Sequence, residues 1–334
     1  MRDSGFRCQG KKRQVFSQEG AAGVYVAKRI LPGVIGDTKA VPLGSALFQM
    51  ARPHHYVKNA FVWLPLFFGH KLNDPHAALA TLFAFLAFCL AASAVYVLND
   101  IRDVDEDRCH PRKKFRPLAR GTLKVSHAAL LMAVLVLLSL AISSMLLPKA
   151  FLGVIFAYLL LNVAYSLYLK QFAIVDLVCI SVGFVLRVVG GGGAADVAVS
   201  RWIVVMTFLL AVFLALGKRR DDLLLAAAGN GGRKSLDGYS MEFVSLAMIA
   251  LTSVIIVSYI LYTISPEIIG KHGTPNLYLS SFWVIVGFIR YLQVVFVSKK
   301  SGSPTRLLLE DHGLKCIIGG WLITVYALIY GIGF

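Results

Sequence analysis

The chain has 334 residues, of which 57% are hydrophobic and 16% are charged, with 34 Lys and Arg against 18 Asp and Glu. Soluble domains carry about 25% charged residues, so this composition excludes a single soluble core and indicates that lipid covers much of the surface. The net charge of +16 favours anionic partners such as phosphates and lipid headgroups. We expect no nucleic-acid partner, because the basic residues lie in short loops between apolar segments.

The first polar stretch is basic and precedes any apolar segment. Residues 1–45 are therefore predicted to be a flexible N-terminal extension, and residues 46–334 a single membrane domain. A short helix at 45–52 is expected to lie at the membrane interface before the first span.

Nine apolar segments then follow, each near the length of about 20 residues that a membrane-spanning helix needs. They predict an all-α, polytopic membrane protein with about nine transmembrane helices. The candidate spans are 57–72, 76–98, 127–147, 150–168, 172–192, 202–217, 242–264, 277–297 and 313–332. The first and the sixth are the shortest.

Orientation follows from Lys and Arg, which are enriched in cytoplasmic loops. With a cytoplasmic N-terminus, the inner segments hold 27 of these residues and the outer loops hold four. This asymmetry predicts a multi-pass protein of the inner (plasma) membrane. Its N-terminus and the long polar loops 99–126 and 218–241 would face the cytoplasm.

An acidic run directly follows the second span. Asn99, Asp103 and Asp107 recur every four residues, so on a continuing helix they drift by only about 40° per step and share one face, with Asp100 in the same arc. Carboxylates this close repel one another unless they share a cation. Mg²⁺ binds a few carboxylates together with substrate phosphate oxygens. The run therefore predicts a Mg²⁺ site for a diphosphate substrate, with Asp103 and Asp107 also as catalytic residues.

Cations follow the acidic run at once, as far as Arg120. Beside the carboxylates they form an alternating surface that can hold a metal and anionic oxygens together, although a cytoplasmic loop alone would also be basic. Arg116 precedes Pro117, which predicts a fixed turn that aims Arg116 at the site as a substrate-binding residue.

The end of the fourth span carries Tyr165, Ser166 and Lys170. Two hydroxyls and a cation predict phosphate binding, with Lys170 also as a catalytic residue. The alternative is an aromatic belt with a lysine that extends to the headgroups.

The fifth span contains Arg187, and an ionisable residue inside a span is a functional hypothesis by default. We expect Arg187 to face the bundle interior and to bind substrate. The glycines at 190–193 are predicted to be a flexible turn on the outer side.

Together these motifs resemble those of the UbiA prenyltransferase superfamily. The acidic run looks like its first aspartate-rich motif, Tyr165-Ser166-x-x-x-Lys170 looks like the segment after its fourth helix, and Arg52-Pro53 with Lys58-Asn59 resembles the start of its first helix. The resemblance extends from about residue 46 to the end of the chain. It implies a UbiA-like helical bundle with the active site at the cytoplasmic face, and substrate binding by Lys58 and Asn59.

One segment departs from most members, which carry a second Asp-x-x-x-Asp motif after the sixth helix. Here the first of those acids is replaced by Lys218, followed by Arg219 and ending on Asp222. This segment is similar instead to the decaprenyl-phosphate phosphoribosyltransferase branch, as is the segment 302–305, Gly-Ser-Pro-Thr. Lys218, Arg219 and Asp222 are therefore predicted to bind substrate.

The resemblance to that branch implies Mg²⁺-dependent transfer of 5-phosphoribose from phosphoribosyl pyrophosphate (PRPP) to a polyprenyl phosphate lipid. Pyrophosphate would be released, and the product would serve cell-envelope or glycan precursor synthesis. The alternative is an aromatic prenyltransferase that uses a polyprenyl diphosphate. A channel or transporter is a third reading, but it would need charged residues along a path through several spans.

Overall fold

The computed structural model describes residues 42–109, 113–227, 234–297, 307 and 310–331. The predicted N-terminal extension therefore lies outside the described residues up to position 41, and so does the 302–305 segment. The described chain is helical, without a β-strand, as the all-α prediction requires. The α-helices are α1 Leu43–Ala51, α2 Leu64–Phe68, α3 Pro75–Arg102, α4 Val104–Cys109, α5 Val125–Met145, α6 Lys149–Leu167, α7 Val175–Ala195, α8 Arg201–Ala227, α9 Met241–Ile264, α10 Pro266–His272, α11 Ser281–Phe296 and α12 His312–Tyr330.

Eight helices in the described residues are long and apolar enough to cross a membrane. They are α3, α5, α6, α7, α8, α9, the continuous segment Pro275–Phe296 that ends with α11, and α12. Large apolar side chains such as Leu137, Leu160 and Ile323 stay exposed on them. Lipid must cover these faces, since a soluble monomer rarely exposes so much apolar surface. The multi-pass membrane architecture is confirmed.

The first predicted span has a different local structure. It consists of a 3₁₀-helix, Pro53–Trp63, followed by the short helix α2. A 3₁₀-helix rises about 2 Å per residue, against 1.5 Å for an α-helix, so these 16 residues extend about 30 Å, the thickness of the hydrocarbon core. Arg52 at its start bonds Asp100, whereas Lys71 just beyond it bonds the carbonyl of Asp196 at the far end of α7. The segment therefore runs the length of the bundle, and a count of nine spans stays a prediction.

The glycine run does not form the flexible turn that we expected. Residues 190–193 lie inside α7. A Cβ on Gly191 would lie 2.0 Å from the carbonyl oxygen of Val62, and one on Gly190 would lie 2.8 Å from the ring of Phe88. Gly190 and Gly191 are needed because α3 and the 3₁₀-helix pack directly against the backbone of α7.

The centre of the bundle is formed by α3 and α7. Helix α3 packs against α1, α5, α6, α7 and the 3₁₀-helix, and α8 packs between α7 and α9. The helix expected at 45–52 is present as α1, packed on α3. The polar segments after α3 and α6 meet the end of α8 at one end of the bundle. We call this the acidic end, and define it by Asp100, Asp107 and Asp176.

Candidate active site

The acidic end is built on the junction of α3 and α4. Helix α3 ends at Arg102, yet the helical hydrogen bonds continue, because the N–H of Asp103 donates to Asn99 O (2.9 Å) and that of Asp107 to Asp103 O (2.8 Å). Asp100 and Asp107 are both buried. They are seven residues apart, two helical turns, so both side chains lie on one face.

Arg116 joins these two carboxylates. Its Nη1 donates to Asp100 Oδ1 at 3.0 Å and to Asp107 Oδ2 at 2.5 Å. Lys113 Nζ lies 3.7 Å from the other oxygen of Asp107. The predicted turn at Pro117 thus does bring Arg116 back to the acidic run. Because both carboxylates are buried, the guanidinium supplies the counter-charge that their burial demands.

Arg52 completes this cluster and was not among the predicted site residues. Its Nη2 lies 2.5 Å from Asp100 Oδ1. Arg52 has a left-handed backbone, with φ of 52°, at the corner between α1 and the 3₁₀-helix. The Arg52-Pro53 pair was the available signal, because a residue before proline is held out of the helical region.

The predicted shared face of Asn99, Asp103 and Asp107 stays a prediction, because the carboxylate of Asp103 is paired with a lysine from another segment. Asp103 is the residue after α3, with φ −97° and ψ 11°, and its Oδ1 accepts from Lys170 Nζ at 2.6 Å instead. Asn99 is half-buried one turn earlier. In the described part of the chain, no three His, Cys, Asp or Glu side chains are arranged to hold a metal ion. The helical hydrogen bonds through Asp103 thus leave Asp100 and Asp107 bonded to Arg116, while Asp103 is bonded to Lys170.

Two of the three residues predicted after the fourth span lie near the site. Lys170, in the 3₁₀-turn Leu169–Gln171, bonds Asp103, and Tyr165 is half-buried within electrostatic range of Arg219. Ser166 is fully buried and donates to Asn162 O at 2.7 Å. Its hydroxyl donates to its own helix, and phosphate binding by Ser166 stays a prediction.

Arg219 is also placed differently from expectation. It is fully buried, and its Nε donates to Asp176 Oδ2 at 2.6 Å while Nη1 bonds Asp222. Both predicted substrate-binding residues, Arg219 and Asp222, are therefore bonded to each other, and Arg219 ties α8 to α7. Lys218 precedes them and is half-buried.

Tyr239, from the loop before α9, closes this network. Its hydroxyl donates to Asp176 Oδ1 at 2.7 Å and accepts from the N–H of Ile174, also at 2.7 Å. Burial, and the hydrogen bond to Asp176, raise the pKa of Tyr239 above its usual value, so the phenol stays a donor. Nothing in the sequence pattern marks Tyr239, because its partners lie more than 60 residues away.

Arg187 faces the bundle interior, as its position in a span predicted. Its Nε donates to Asn59 Oδ1 at 2.7 Å, Nη1 to Gly183 O at 2.7 Å and Nη2 to Tyr158 OH at 2.9 Å. Lys58, next to Asn59, lies within range of the charges of Arg187 and Arg52. The predicted residues Lys58, Asn59 and Arg187 therefore do form one group.

The site thus has an acidic part and a cationic part. The carboxylates of Asp100 and Asp107 converge, and Asp107 Oδ1 is buried without a hydrogen-bond partner. Such an oxygen suits a divalent cation, and Mg²⁺ needs only one or two protein carboxylates beside substrate phosphates. When a metal ion neutralises the carboxylates, Arg116, Lys113 and Lys170 can move from the carboxylate oxygens to the phosphate oxygens. This arrangement can hold a metal-bound diphosphate.

Comparisons with known proteins show which family the chain is similar to. The family described as the UbiA prenyltransferase family matches residues 61–307. The decaprenyl-phosphate phosphoribosyltransferase of Mycolicibacterium smegmatis is 33% identical over 300 residues, which cover 86% of this chain and 93% of that protein. The enzyme of the same name from Corynebacterium glutamicum is 30% identical over 295 residues, covering 86% and 88%.

The fold is also found among solved structures. A UbiA homolog from Archaeoglobus fulgidus bound to DMAPP and Mg²⁺ has a TM-score of 0.64 and 19% identity, covering 86% of this chain and 100% of that one. A likeness at this identity concerns the arrangement of the helices.

Proposed function

This chain belongs to the UbiA prenyltransferase family and is a transferase, and we propose that it moves 5-phosphoribose from PRPP to a polyprenyl phosphate. Two relatives that carry the name decaprenyl-phosphate phosphoribosyltransferase share 30–33% of their residues with it over most of both chains. The proposal places the reaction at the acidic end and on the cytoplasmic side of the inner membrane.

One observation carries the choice of substrate. On the α7–α8 side of the site, Arg219 bonds both Asp176 and Asp222. A second metal needs carboxylates, and the Arg219 side chain that holds these two is fully buried, whereas that of Arg116 is 27% exposed and can leave Asp100 and Asp107 for a phosphate. One acidic site with additional cations suits PRPP, which has one diphosphate and a further phosphate. Two metal sites would suit a prenyl diphosphate donor better.

The reaction needs little proton transfer. The acceptor is a phosphate monoester that is ionised at neutral pH, so one of its oxygens can attack the anomeric carbon of PRPP without a general base. The bond between that carbon and the pyrophosphate oxygen breaks, and pyrophosphate leaves with the electron pair. The chain's task is then to position both substrates and to stabilise the departing charge.

Asp100 and Asp107 would hold Mg²⁺, with Asn99 and Asp103 nearby. When bound, Mg²⁺ neutralises charge that develops on the leaving pyrophosphate. Arg116 and Lys170, released from the carboxylates, would then bind phosphate oxygens by charge-assisted hydrogen bonds.

The test compares two pairs of substrates. Purified protein with Mg²⁺ is incubated with labelled PRPP and polyprenyl phosphate, and separately with a polyprenyl diphosphate and an aromatic acid. We expect a labelled lipid product in the first reaction alone. A prenylated aromatic product, with no use of PRPP, would replace the proposal by the aromatic prenyltransferase alternative.

Lys218 is predicted to bind the additional phosphate of PRPP, because it stands where most of the family has a metal-binding acid. A charge-assisted hydrogen bond contributes about 1.5–3 kcal/mol, so Lys218→Met should raise the KM for PRPP roughly 10- to 150-fold. The KM for the lipid acceptor should change little. Unchanged KM values for both substrates would instead indicate that Lys218 only anchors its helix at the lipid headgroups.

The orientation can be tested with single cysteines in a background that lacks the five native ones. Phe115→Cys at the acidic end and Asp196→Cys at the opposite end both replace exposed residues. A membrane-impermeant thiol reagent should label only Asp196→Cys in intact cells and both variants after permeabilisation. Labelling of Phe115→Cys in intact cells would reverse the topology.

A further inference from the structure

Arg187 lies in the middle of the membrane bundle with a charge that no acid balances. It is buried, and among the described residues no carboxylate lies within ion-pair distance of it. Its three recorded acceptors are an amide, a backbone carbonyl and a phenol, all neutral. These leave two of the five guanidinium N–H groups for a ligand.

The surroundings hold the guanidinium but do not neutralise it. Its carbon lies 4.8 Å from the ring centre of Tyr158, 5.2 Å from that of Phe184 and 5.9 Å from that of Phe88. Aromatic faces attract a cation, yet the net charge remains. A buried cation retained without a counter-ion is costly, and inside a membrane bundle it marks a functional site.

Lys58 brings a second positive charge within electrostatic range of Arg187. It is half-buried, it adjoins the Asn59 that Arg187 binds, and it has no ion-pair partner in the described part of the chain. Two neighbouring cations repel each other, so the folded protein supports this pair at a cost that an anion would remove. A ligand anion would supply that missing charge.

The location of the pair separates it from the metal site. Arg187 is 11 residues beyond Asp176 along α7, which places its Cα about 16 Å further from the acidic end. Lys58 lies between the two levels, in range of Arg52, which bonds Asp100, and both Lys58 and Lys218 lie in range of His55. Lys58 thus lies between Arg187 and the acidic end, and the cation pair is on the membrane side of that end.

We propose that Lys58 and Arg187 form a second phosphate site, which binds the phosphate monoester of the lipid acceptor. This assignment rests on the proposed function and adds to it separate binding sites for the two substrates. The water-soluble donor binds at the acidic end, and the lipid-linked phosphate binds on the membrane side, where its chain can remain among apolar side chains. The two cations hold the attacking phosphate without competing for the Mg²⁺ carboxylates.

The test is a binding measurement on the full chain in detergent, with decaprenyl phosphate as the probe and decaprenol as the uncharged control. Lys58→Met should weaken decaprenyl phosphate binding roughly 10- to 150-fold, the value of one charge-assisted hydrogen bond. Binding of PRPP with Mg²⁺ should stay within about twofold. Lys71→Met, at the other end of the same segment, is the matched control and should leave both unchanged. Lys58→Arg should restore most of the lipid binding.

Arg187→Gln is the second variant, and it should weaken decaprenyl phosphate binding by a similar factor. Glutamine is chosen because it removes the charge and can still donate to Asn59. Weaker PRPP binding with normal decaprenyl phosphate binding in these variants would assign the pair to the donor and overturn the inference, while phosphoribose transfer by the unaltered protein would still stand. Equal binding of decaprenol and decaprenyl phosphate by the unaltered protein would also overturn it. If the unaltered protein does not use PRPP but Lys58→Met still loses lipid phosphate, the phosphate site stands and the transfer reaction falls.

Discussion

Asp107→Asn should lower the transfer rate on the order of 10³-fold while the protein still folds. The substitution keeps the shape of the side chain and removes the charge that would hold Mg²⁺, and removing one group that stabilises developing charge typically costs about 10²–10³-fold. Asp107 is buried and one of its oxygens has no hydrogen-bond partner. The rate is measured at saturating PRPP over a range of Mg²⁺ concentrations, and residual activity should need more Mg²⁺.

The same helix provides the matched control for this prediction. Asp105 is also in α4, but its side chain is 86% exposed, and among the described residues it pairs only with Arg108 on the surface. Exposed ion pairs contribute little, so Asp105→Asn should keep the rate within about twofold. Near-normal activity of Asp107→Asn, or an equal loss in both variants, would contradict the assignment of the metal site to Asp100 and Asp107.

Arg219→Met should produce the largest loss of stability. The change leaves Asp176 fully buried and without its cation, and breaking a buried ion pair in this way costs about 3–5 kcal/mol. Thermal unfolding in detergent measures the effect. Arg201→Met, at the exposed start of the same helix, is the control and should leave the midpoint nearly unchanged.

A second substitution separates structure from substrate binding. Asp176→Asn combined with Arg219→Met removes both charges, so the double variant should regain more than half of the lost stability. If Arg219→Met instead unfolds like the unaltered protein and raises only the KM for PRPP, Arg219 binds substrate as the sequence predicted, and the structural role assigned here is wrong.

The membrane architecture could be predicted from the sequence because lipid imposes a simple requirement. A helix must be apolar for about 20 residues to cross, and eight of the nine windows correspond to helices of spanning length. The exception, 57–72, is a 3₁₀-helix and a short α-helix. Its conformation depends on close packing against the glycines of α7, which no local pattern of residues 57–72 reveals.

The location of the candidate site could be predicted from the sequence, but the side chains that bond each other within it could not. The spacing of Asn99, Asp103 and Asp107 indicated the right segment, but Asp103 bonds Lys170 from 67 positions away. Helical spacing indicates which side chains share a face, but it does not indicate which cations from other segments bond them.

Ion pairs between residues far apart in the sequence also could not be predicted. Arg52 binds Asp100 from 48 positions away, and Arg219 binds Asp176 from 43. Whether a cation faces substrate or a buried carboxylate is decided by which helices pack together, and that information is absent from a single loop.

The proposed reaction breaks the bond that joins ribose to pyrophosphate. It is tested most directly with PRPP that carries radiocarbon in the ribose and radiophosphorus in the β-phosphate, incubated with decaprenyl phosphate and Mg²⁺. The proposed reaction transfers the radiocarbon to the lipid fraction and leaves the radiophosphorus in water as pyrophosphate, in equal amounts. Radiophosphorus in the lipid product, or no transfer of either label while a polyprenyl diphosphate is consumed, would contradict the account.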